Sequence, residues 1–247
     1  MINFKIILNV LGYLLVALSI LLIVPIIIDL ISGNDSWKSF LISLIITLGF
    51  GVTFLLSTRN ELKNKILTQD AFLITTLSWI FISIFGALPF FFLDSSLSLT
   101  NSIFESMSGI TTTGSTIFNE VENLPQGILI WRSILQWVGG VGIIVMAVSI
   151  LPVLQVGGMQ VFRTESSDTT DKILPRTTQV ASAVIIIYII LTVTCLIAYW
   201  VGGMNLFDAI VHSMTTIATG GFSSKNDSFA SFNNISPVSY THLTLPT

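Results

Sequence analysis

Five long apolar runs dominate this sequence, and each is long enough to cross a lipid bilayer as an α-helix. A spanning helix needs about 20 apolar residues, because the hydrocarbon core is about 30 Å thick. Only 9% of the 247 residues are charged, so polar side chains cannot cover a soluble globule. We therefore predict an all-α polytopic membrane protein with spans at Ile6–Ile28, Phe40–Leu56, Ala71–Leu93, Ile130–Leu154 and Val180–Val201.

The distribution of basic residues predicts the orientation of these spans. The first run is too long for a signal-peptide core and lacks a small-residue cleavage site, so we interpret it as a retained helix. Lysine and arginine collect on the cytoplasmic side of membrane proteins. A cytoplasmic amino terminus puts seven of the ten basic residues inside (Lys5, Arg59, Lys63, Lys65, Arg163, Lys172 and Arg176) and three outside (Lys38, Arg132 and Lys225).

The outer segment between the third and fourth runs is typical of a re-entrant pore loop. Ser102–Ile110 has apolar residues at three- and four-residue steps, which predicts a short helix, capped by Asn101 or Thr100. It is too short to span, and the small polar stretch Thr111–Thr116 follows it. Irregular backbone is tolerated at membrane depth only where protein buries it or it lines water.

The same arrangement recurs after the fifth run. Phe207–Thr216 predicts a second short helix, and Ile217–Phe222 follows it. Placing Gly220 against Gly114 gives a repeat of 106 residues, which also aligns the helices that precede the loops. The sequence thus predicts two leading helices and then repeated helix–pore-loop–helix units of the potassium-channel-like type.

Both loops have the composition that a potassium selectivity filter needs. Backbone carbonyls replace the water around the ion, glycine and small residues leave the path open, and the carboxyl end of a short helix favours a cation. Ordinary outer loops and helix contacts can have this composition too, but the recurrence favours a pore. The predicted filter residues are Thr111, Thr112, Thr113, Gly114, Ile217, Ala218, Thr219, Gly220 and Gly221.

Several separate motifs resemble the Trk/Ktr/HKT superfamily of potassium transporters, and most closely its bacterial TrkH type. They are FESMSGITTTGST at Phe104–Thr116, QWVGGVGI at Gln136–Ile143, GGMQVFRTE at Gly157–Glu165, DKILPR at Asp171–Arg176 and TTIATGGFS at Thr215–Ser223. The resemblance implies four helix–pore-loop–helix units around one path, with potassium as the substrate and no covalently bound cofactor. It also implies a cell-membrane homodimer, contact with a cytosolic nucleotide-binding regulatory subunit, and coupling to sodium or protons as an open alternative to channel-like transport.

The resemblance also divides the chain into segments. We expect two leading helices at 1–69, a first unit at 70–155, a cytoplasmic connector at 156–179 and an incomplete second unit at 180–236. The second helix of that unit should begin near Pro237, where the sequence instead reads PVSYTHLTLPT. We therefore expect the chain to be truncated or frame-shifted, with 237–247 an atypical tail that is not native, and two units cannot close a fourfold filter.

Other residues favour structural roles. Gly139, Gly140 and Gly142 in the fourth run are interpreted as sites of close helix packing. Glu105 and Asp208, on the short helices, either concentrate cations at the entrance or hydrogen-bond the loops in place, and the second is favoured. The filter assignment itself predicts that Gly114→Ser weakens discrimination of potassium over sodium.

Competing functions find less support in the residues. Nucleic-acid binding lacks a basic stripe. Cys195 lies alone in an apolar run, and His212 and His242 match no ligand spacing. These residues offer little from which to build the catalytic site of a membrane enzyme. His212 is expected to be packed or hydrogen-bonded. A non-conducting fragment or accessory subunit stays open, and the gene beyond codon 247 would separate it from a transporter.

Overall fold

A computed structural model of the chain describes residues 2–58, 68–93, 97–154 and 173–232. Most of the predicted connector at 156–179 and the whole predicted tail at 237–247 lie outside these ranges, as does the helix expected near Pro237. The α-helices within them are α1 (Phe4–Leu21), α2 (Ile23–Ser32), α3 (Trp37–Thr58), α4 (Thr68–Leu93), α5 (Leu99–Ile110), α6 (Gln126–Leu154), α7 (Ile173–Val201) and α8 (Leu206–Ile217). One short 3-10 turn lies between α5 and α6, at Val121–Asn123, and another follows α8, at Ser228–Ser231.

The five predicted spans are confirmed as apolar helices of membrane-spanning length: Phe4–Ser32, Trp37–Thr58, Gln69–Leu93, Gln126–Ile144 and Gln179–Val201. The first is interrupted between α1 and α2 at Leu22. Pro25 has no N–H to donate to the Leu21 carbonyl, which accounts for the break.

Helix α6 is the central element of the described fold. It contacts α2, α4 and α5 and also α7 and α8. Its span is 61% buried, whereas that of α7 is only 11% buried and exposes apolar side chains such as Ile186 and Ile190. The exposed face of α7 is therefore suited to lipid, and α6 is placed to touch both short helices.

The leading helices pack on this core through small and polar residues. Gly12 on α1 and Gly51 on α3 face each other so closely that a Cβ on Gly51 would lie 2.9 Å from Val16. Asp29 is buried at the end of α2 and accepts a hydrogen bond from the Gly127 N–H at 2.7 Å. A carboxylate at this position interacts favourably with the positive amino end of α6. Asp29 therefore joins the leading pair of helices to the first unit.

Helix α5 is capped differently from the sequence prediction. Helix α5 begins after Ser98, whose hydroxyl accepts from the Asn101 N–H at 3.1 Å, so neither Asn101 nor Thr100 is the cap. Asn205 caps α8 in the same way, accepting from the Asp208 N–H at 2.7 Å. The predicted start of α5 at Ser102 was late because the first turn of that helix has little apolar periodicity.

Candidate functional site

Each short helix leads into a loop with the same backbone conformation. Thr112 and Thr219 have φ values of 56° and 53°, and two residues later Gly114 and Gly221 both have φ of 80°. Positive φ is uncommon for residues other than glycine. The repeated pattern therefore makes the two loops copies of one structural element.

The copies lie 107 residues apart, so the repeat of 106 predicted from the sequence was wrong by one. The helices, their caps and the positive-φ residues all repeat at 107. Gly114 therefore corresponds to Gly221, and Thr113 corresponds to Gly220. The adjacent glycines of the second loop make the register ambiguous in sequence, and only the backbone angles separate them.

Hydrogen bonds at the end of each helix also match. The Thr113 N–H donates to the Ser108 carbonyl at 3.0 Å, and the Gly220 N–H donates to the Thr215 carbonyl at 2.9 Å. This is the bond of a Schellman motif, in which a left-handed residue turns the chain away from the helix axis. Threonine stands at the left-handed position in both loops.

The remaining predicted filter residues lie at the start of the loops. Thr111 and Ala218 are the C-caps of α5 and α8, and Ile217 is the last residue of α8 and therefore helical. The Thr111 hydroxyl donates to the Met107 carbonyl at 2.7 Å and lies 2.8 Å from the Thr113 hydroxyl. The hydroxyls of the first loop thus brace its own turn.

The two loops touch each other. A Cβ built on Gly114 would lie 2.1 Å from the Gly220 carbonyl oxygen. Further out, the Val121 N–H donates to Asn226 Oδ1 at 2.8 Å. The candidate site is therefore a contact between two equivalent loops, which forbids a side chain at Gly114.

Glu105 anchors the first loop from inside the protein. Its side chain is fully buried and forms an ion pair with Arg132 at 2.7 Å. It also accepts from the Thr116 hydroxyl at 3.0 Å and the Ile117 N–H at 2.9 Å. The hydrogen-bonding role favoured from the sequence is confirmed for Glu105.

His212 occupies the corresponding position in the second copy. It lies 107 residues after Glu105, whereas the predicted offset matched Glu105 with Val211 and hid the relation. His212 Nε2 is 3.0 Å from the hydroxyl of Ser223, which is the counterpart of Thr116. Each short helix thus holds the chain just past its loop through the same pair of positions.

Asp208 anchors the second loop near the amino end of α8. Its carboxylate accepts from the Ser224 hydroxyl at 2.5 Å and from Asn205 Nδ2 at 2.7 Å. The Asp208 carbonyl lies 2.8 Å from His212 Nδ1, and a carbonyl can only accept, so Nδ1 carries the proton. The structural role favoured for Asp208 and the hydrogen-bonded role expected of His212 are both confirmed.

Sequence reasoning missed Arg132, which it counted among outer charges. The residue is buried in α6, where its guanidinium donates to Glu105, to the Thr116 hydroxyl at 3.0 Å and to the Ser223 carbonyl at 3.3 Å. It also lies 4.1 Å from the centre of the Phe222 ring. An ionisable residue inside an apolar run usually has a functional role, so the position of Arg132 in the sequence could have identified it.

Gln136, one turn further along α6, was also missed as a functional residue, although it begins the motif QWVGGVGI. Its Nε2 donates to the Gly220 carbonyl at 2.8 Å, and its Oε1 accepts from the Phe222 N–H at 3.1 Å. The side chain is fully buried. Arg132 and Gln136 therefore connect the last helix of the first unit to the loop of the second.

The three glycines of α6 differ in their surroundings. A Cβ on Gly139 would lie 1.9 Å from the Ile110 carbonyl oxygen, and one on Gly140 would lie 3.1 Å from the Ala218 Cα. These two glycines thus let α6 approach the end of both short helices. A Cβ on Gly142 would meet no described atom within 4 Å, so its predicted packing role stays a prediction.

The oxygen atoms of the loops are those of carbonyls and hydroxyls. Within the described residues, no three His, Cys, Asp or Glu side chains are grouped as ligands for a metal ion. Such neutral oxygens suit a cation that is bound weakly enough to be released.

The chain matches a known family model over most of its length. The model is TrkH, described as a cation transport protein, and it matches residues 36–245.

Known proteins give the same result. The chain is 43% identical over 235 residues to the Trk system potassium uptake protein TrkH of Halomonas elongata, which covers 94% of this chain and 48% of that protein. It is 35% identical over 236 residues to TrkG of Escherichia coli, covering 93% and 48%. The crystal structure of the potassium transporter TrkH from Vibrio parahaemolyticus superimposes with a TM-score of 0.84 at 36% identity, covering 98% of this chain and 49% of that one. The chain therefore spans about half the length of the relatives it matches.

Proposed function

This chain belongs to the TrkH family of cation transport proteins, and from that membership we propose that it forms part of a pathway for potassium uptake across the cell membrane. The observation that carries the proposal is the pair of loops with matching backbone, each following a short helix that is too short to span. The relatives named above are called potassium uptake proteins, which makes potassium the proposed substrate.

The proposed mechanism uses the loop backbone as a replacement for water. Carbonyl oxygens of the segments 111–114 and 218–221 would coordinate the ion as it sheds its hydration shell. The carboxyl ends of α5 and α8, which lead into the loops, favour a cation through their dipoles. Arg132 and Gln136 would hold the two loops in register without touching the ion.

The proposal has a direct test in cells that lack their own potassium uptake. The full-length protein that carries these residues should restore growth of such cells in low potassium, and it should import rubidium faster than sodium. Failure of both measurements, with the protein present in the membrane, would rule out potassium uptake.

The filter assignment predicts that Gly221→Ala lowers the ratio of rubidium to sodium uptake about tenfold, which corresponds to about 1.4 kcal/mol. Gly221 has φ of 80°, but a Cβ there would meet no described atom within 4 Å. Alanine would therefore act on the backbone angle and not through a collision. Rubidium and sodium uptake by the membrane-inserted variant measure the effect.

Gly33→Ala is the matched control, because Gly33 also has positive φ and open space but lies between α2 and α3. It should impose similar strain and leave discrimination unchanged. Equal loss in both variants would show that strain anywhere perturbs the ratio and would contradict the filter assignment. Gly114→Ser is the poorer test, since its Cβ would collide with the Gly220 carbonyl.

The orientation and partners complete the proposal. We place the amino terminus in the cytoplasm, on the basis of the basic residues of the inner segments. A homodimer and a cytosolic nucleotide-binding regulatory subunit rest on the family resemblance. Cross-linking of the full-length protein in membranes would test the dimer.

A further inference from the structure

We propose that Gln136 is a selectivity-determining positioning residue, whose carboxamide clamps the second loop on both sides of Gly221. This inference rests on the proposed function of the loops as a cation filter. It concerns a side chain that would never touch the ion and that belongs to the unit before the loop it controls.

The clamp consists of two hydrogen bonds from one planar group. Nε2 donates to the carbonyl of Gly220, and Oε1 accepts from the N–H of Phe222, at 2.8 Å and 3.1 Å. The two bonded residues flank Gly221, whose φ of 80° sets the direction of the loop. Since Gln136 is fully buried, water does not compete for either bond.

The clamp explains why residue 220 is glycine. Gly220 is not among the residues with positive φ, so its backbone angle does not require glycine. A Cβ there would lie 2.3 Å from the Gln136 Cδ and 2.4 Å from its Oε1. The carboxamide of Gln136 occupies the space that a side chain at residue 220 would fill, so Gly220 and Gln136 are fitted to each other.

The first loop is held in a different way. Its counterpart of Phe222 is Ser115, whose carbonyl accepts from the Ser108 hydroxyl of α5 at 2.5 Å. That bond lies within one unit, whereas the clamp crosses between units. Because the Gly220 carbonyl also lies against Gly114, the clamp fixes both the second loop and the contact between the loops.

Discrimination between ions of similar chemistry depends on where a few carbonyl oxygens stand. Without the clamp, the peptide groups on both sides of Gly221 lose their only described side-chain anchors. They would then adjust to ions of different size, so selectivity should fall before transport is lost.

The first test measures selectivity in the full-length protein. Gln136→Leu removes both bonds at similar volume, and Gln136→Glu keeps the acceptor but, when ionised, loses the donor to Gly220. Each variant should lower the ratio of rubidium to sodium uptake about tenfold, or about 1.4 kcal/mol, with sodium uptake rising. Gln179→Leu, at an exposed position on α7, is the control and should leave the ratio unchanged.

The possible outcomes distinguish failure of this inference from failure of the proposed function on which it rests. If the unaltered protein discriminates and Gly221→Ala weakens discrimination while both Gln136 variants match the unaltered protein, the clamp is wrong and the filter stands. If the unaltered protein does not take up rubidium, the proposed function itself fails. If a membrane-inserted Gln136→Glu protein loses rubidium and sodium uptake equally, Gln136 stabilises the fold in general and does not set selectivity. That result would also overturn the inference. If Gln136→Leu does not insert, Gln136→Glu decides alone.

The second test needs no transport. Gly220→Ala should lower the apparent melting temperature of the purified protein, because its methyl group meets the carboxamide. In a Gln136→Ala background the same change should cost clearly less, since the space is free. Additive effects of the two changes would show that the residues are not fitted to each other.

Discussion

Replacing Arg132 with methionine should cost about 3–5 kcal/mol of stability, because it leaves the carboxylate of Glu105 buried without its charged partner. The side chains of Arg132 and Glu105 are only 2% and 0% exposed. The same change removes the donors to Thr116 and Ser223, through which α6 holds both loops. The expected result is a large drop in the amount of full-length protein in the membrane and in its apparent melting temperature in detergent.

Two further variants give this prediction its control and its rescue. Lys38 and Asp35 form an ion pair of the same 2.7 Å length, but their side chains are 60% and 88% exposed, so Lys38→Met should change nothing measurable. Adding Glu105→Gln to Arg132→Met removes the unpaired charge and should recover much of the lost stability. If the double variant is as unstable as Arg132→Met alone, the damage comes from lost packing or lost loop contacts and not from a stranded charge.

The architecture was predictable from the sequence because lipid imposes strict requirements on a spanning segment. A run of about 20 apolar residues has few alternatives to a helix in a bilayer. All five runs are helices in the structure, and both short helices were predicted from the sequence, the first by its periodicity and the second by recurrence of the same arrangement. The first turn of α5 was not, because its cap Ser98 satisfies a backbone N–H group and leaves no apolar pattern.

The register of the repeat required the backbone. Two adjacent glycines, Gly220 and Gly221, offer equally good partners for Gly114 in sequence. In the structure each glycine is required for a different reason: Gly221 has positive φ, and Gly220 leaves room for the side chain of Gln136. With the register corrected, Glu105 and His212 become counterparts, although their side chains share no chemistry beyond hydrogen bonding.

The side chains that join the units were the least predictable part of the site. The separation in sequence between Arg132 and Ser223, or between Gln136 and Gly220, gives no sign of contact. What the sequence did contain was a charge and an amide one turn apart within an apolar run, which is costly unless both are bonded. That cost indicates that partners exist, but only the fold identifies them.

Helix α6 also carries the last prediction, which uses two glycines three residues apart. Gly139→Ala should strongly destabilise the protein, because its Cβ would lie 1.9 Å from the Ile110 carbonyl oxygen at the end of α5. A backbone atom cannot move aside as a flexible side chain does, so α6 would have to withdraw from the end of α5, at a cost of roughly 1–3 kcal/mol.

Gly142→Ala is the matched control, since its Cβ would meet no described atom within 4 Å and alanine favours the helix. Thermal unfolding of the two full-length variants, followed in the same detergent, should show a loss of several degrees for Gly139→Ala and a smaller loss, or none, for Gly142→Ala. Equal melting temperatures would mean that α6 does not approach α5 as closely as described. A selective loss at Gly139 would show that the close approach of α6 to the carboxyl end of α5 stabilises the protein.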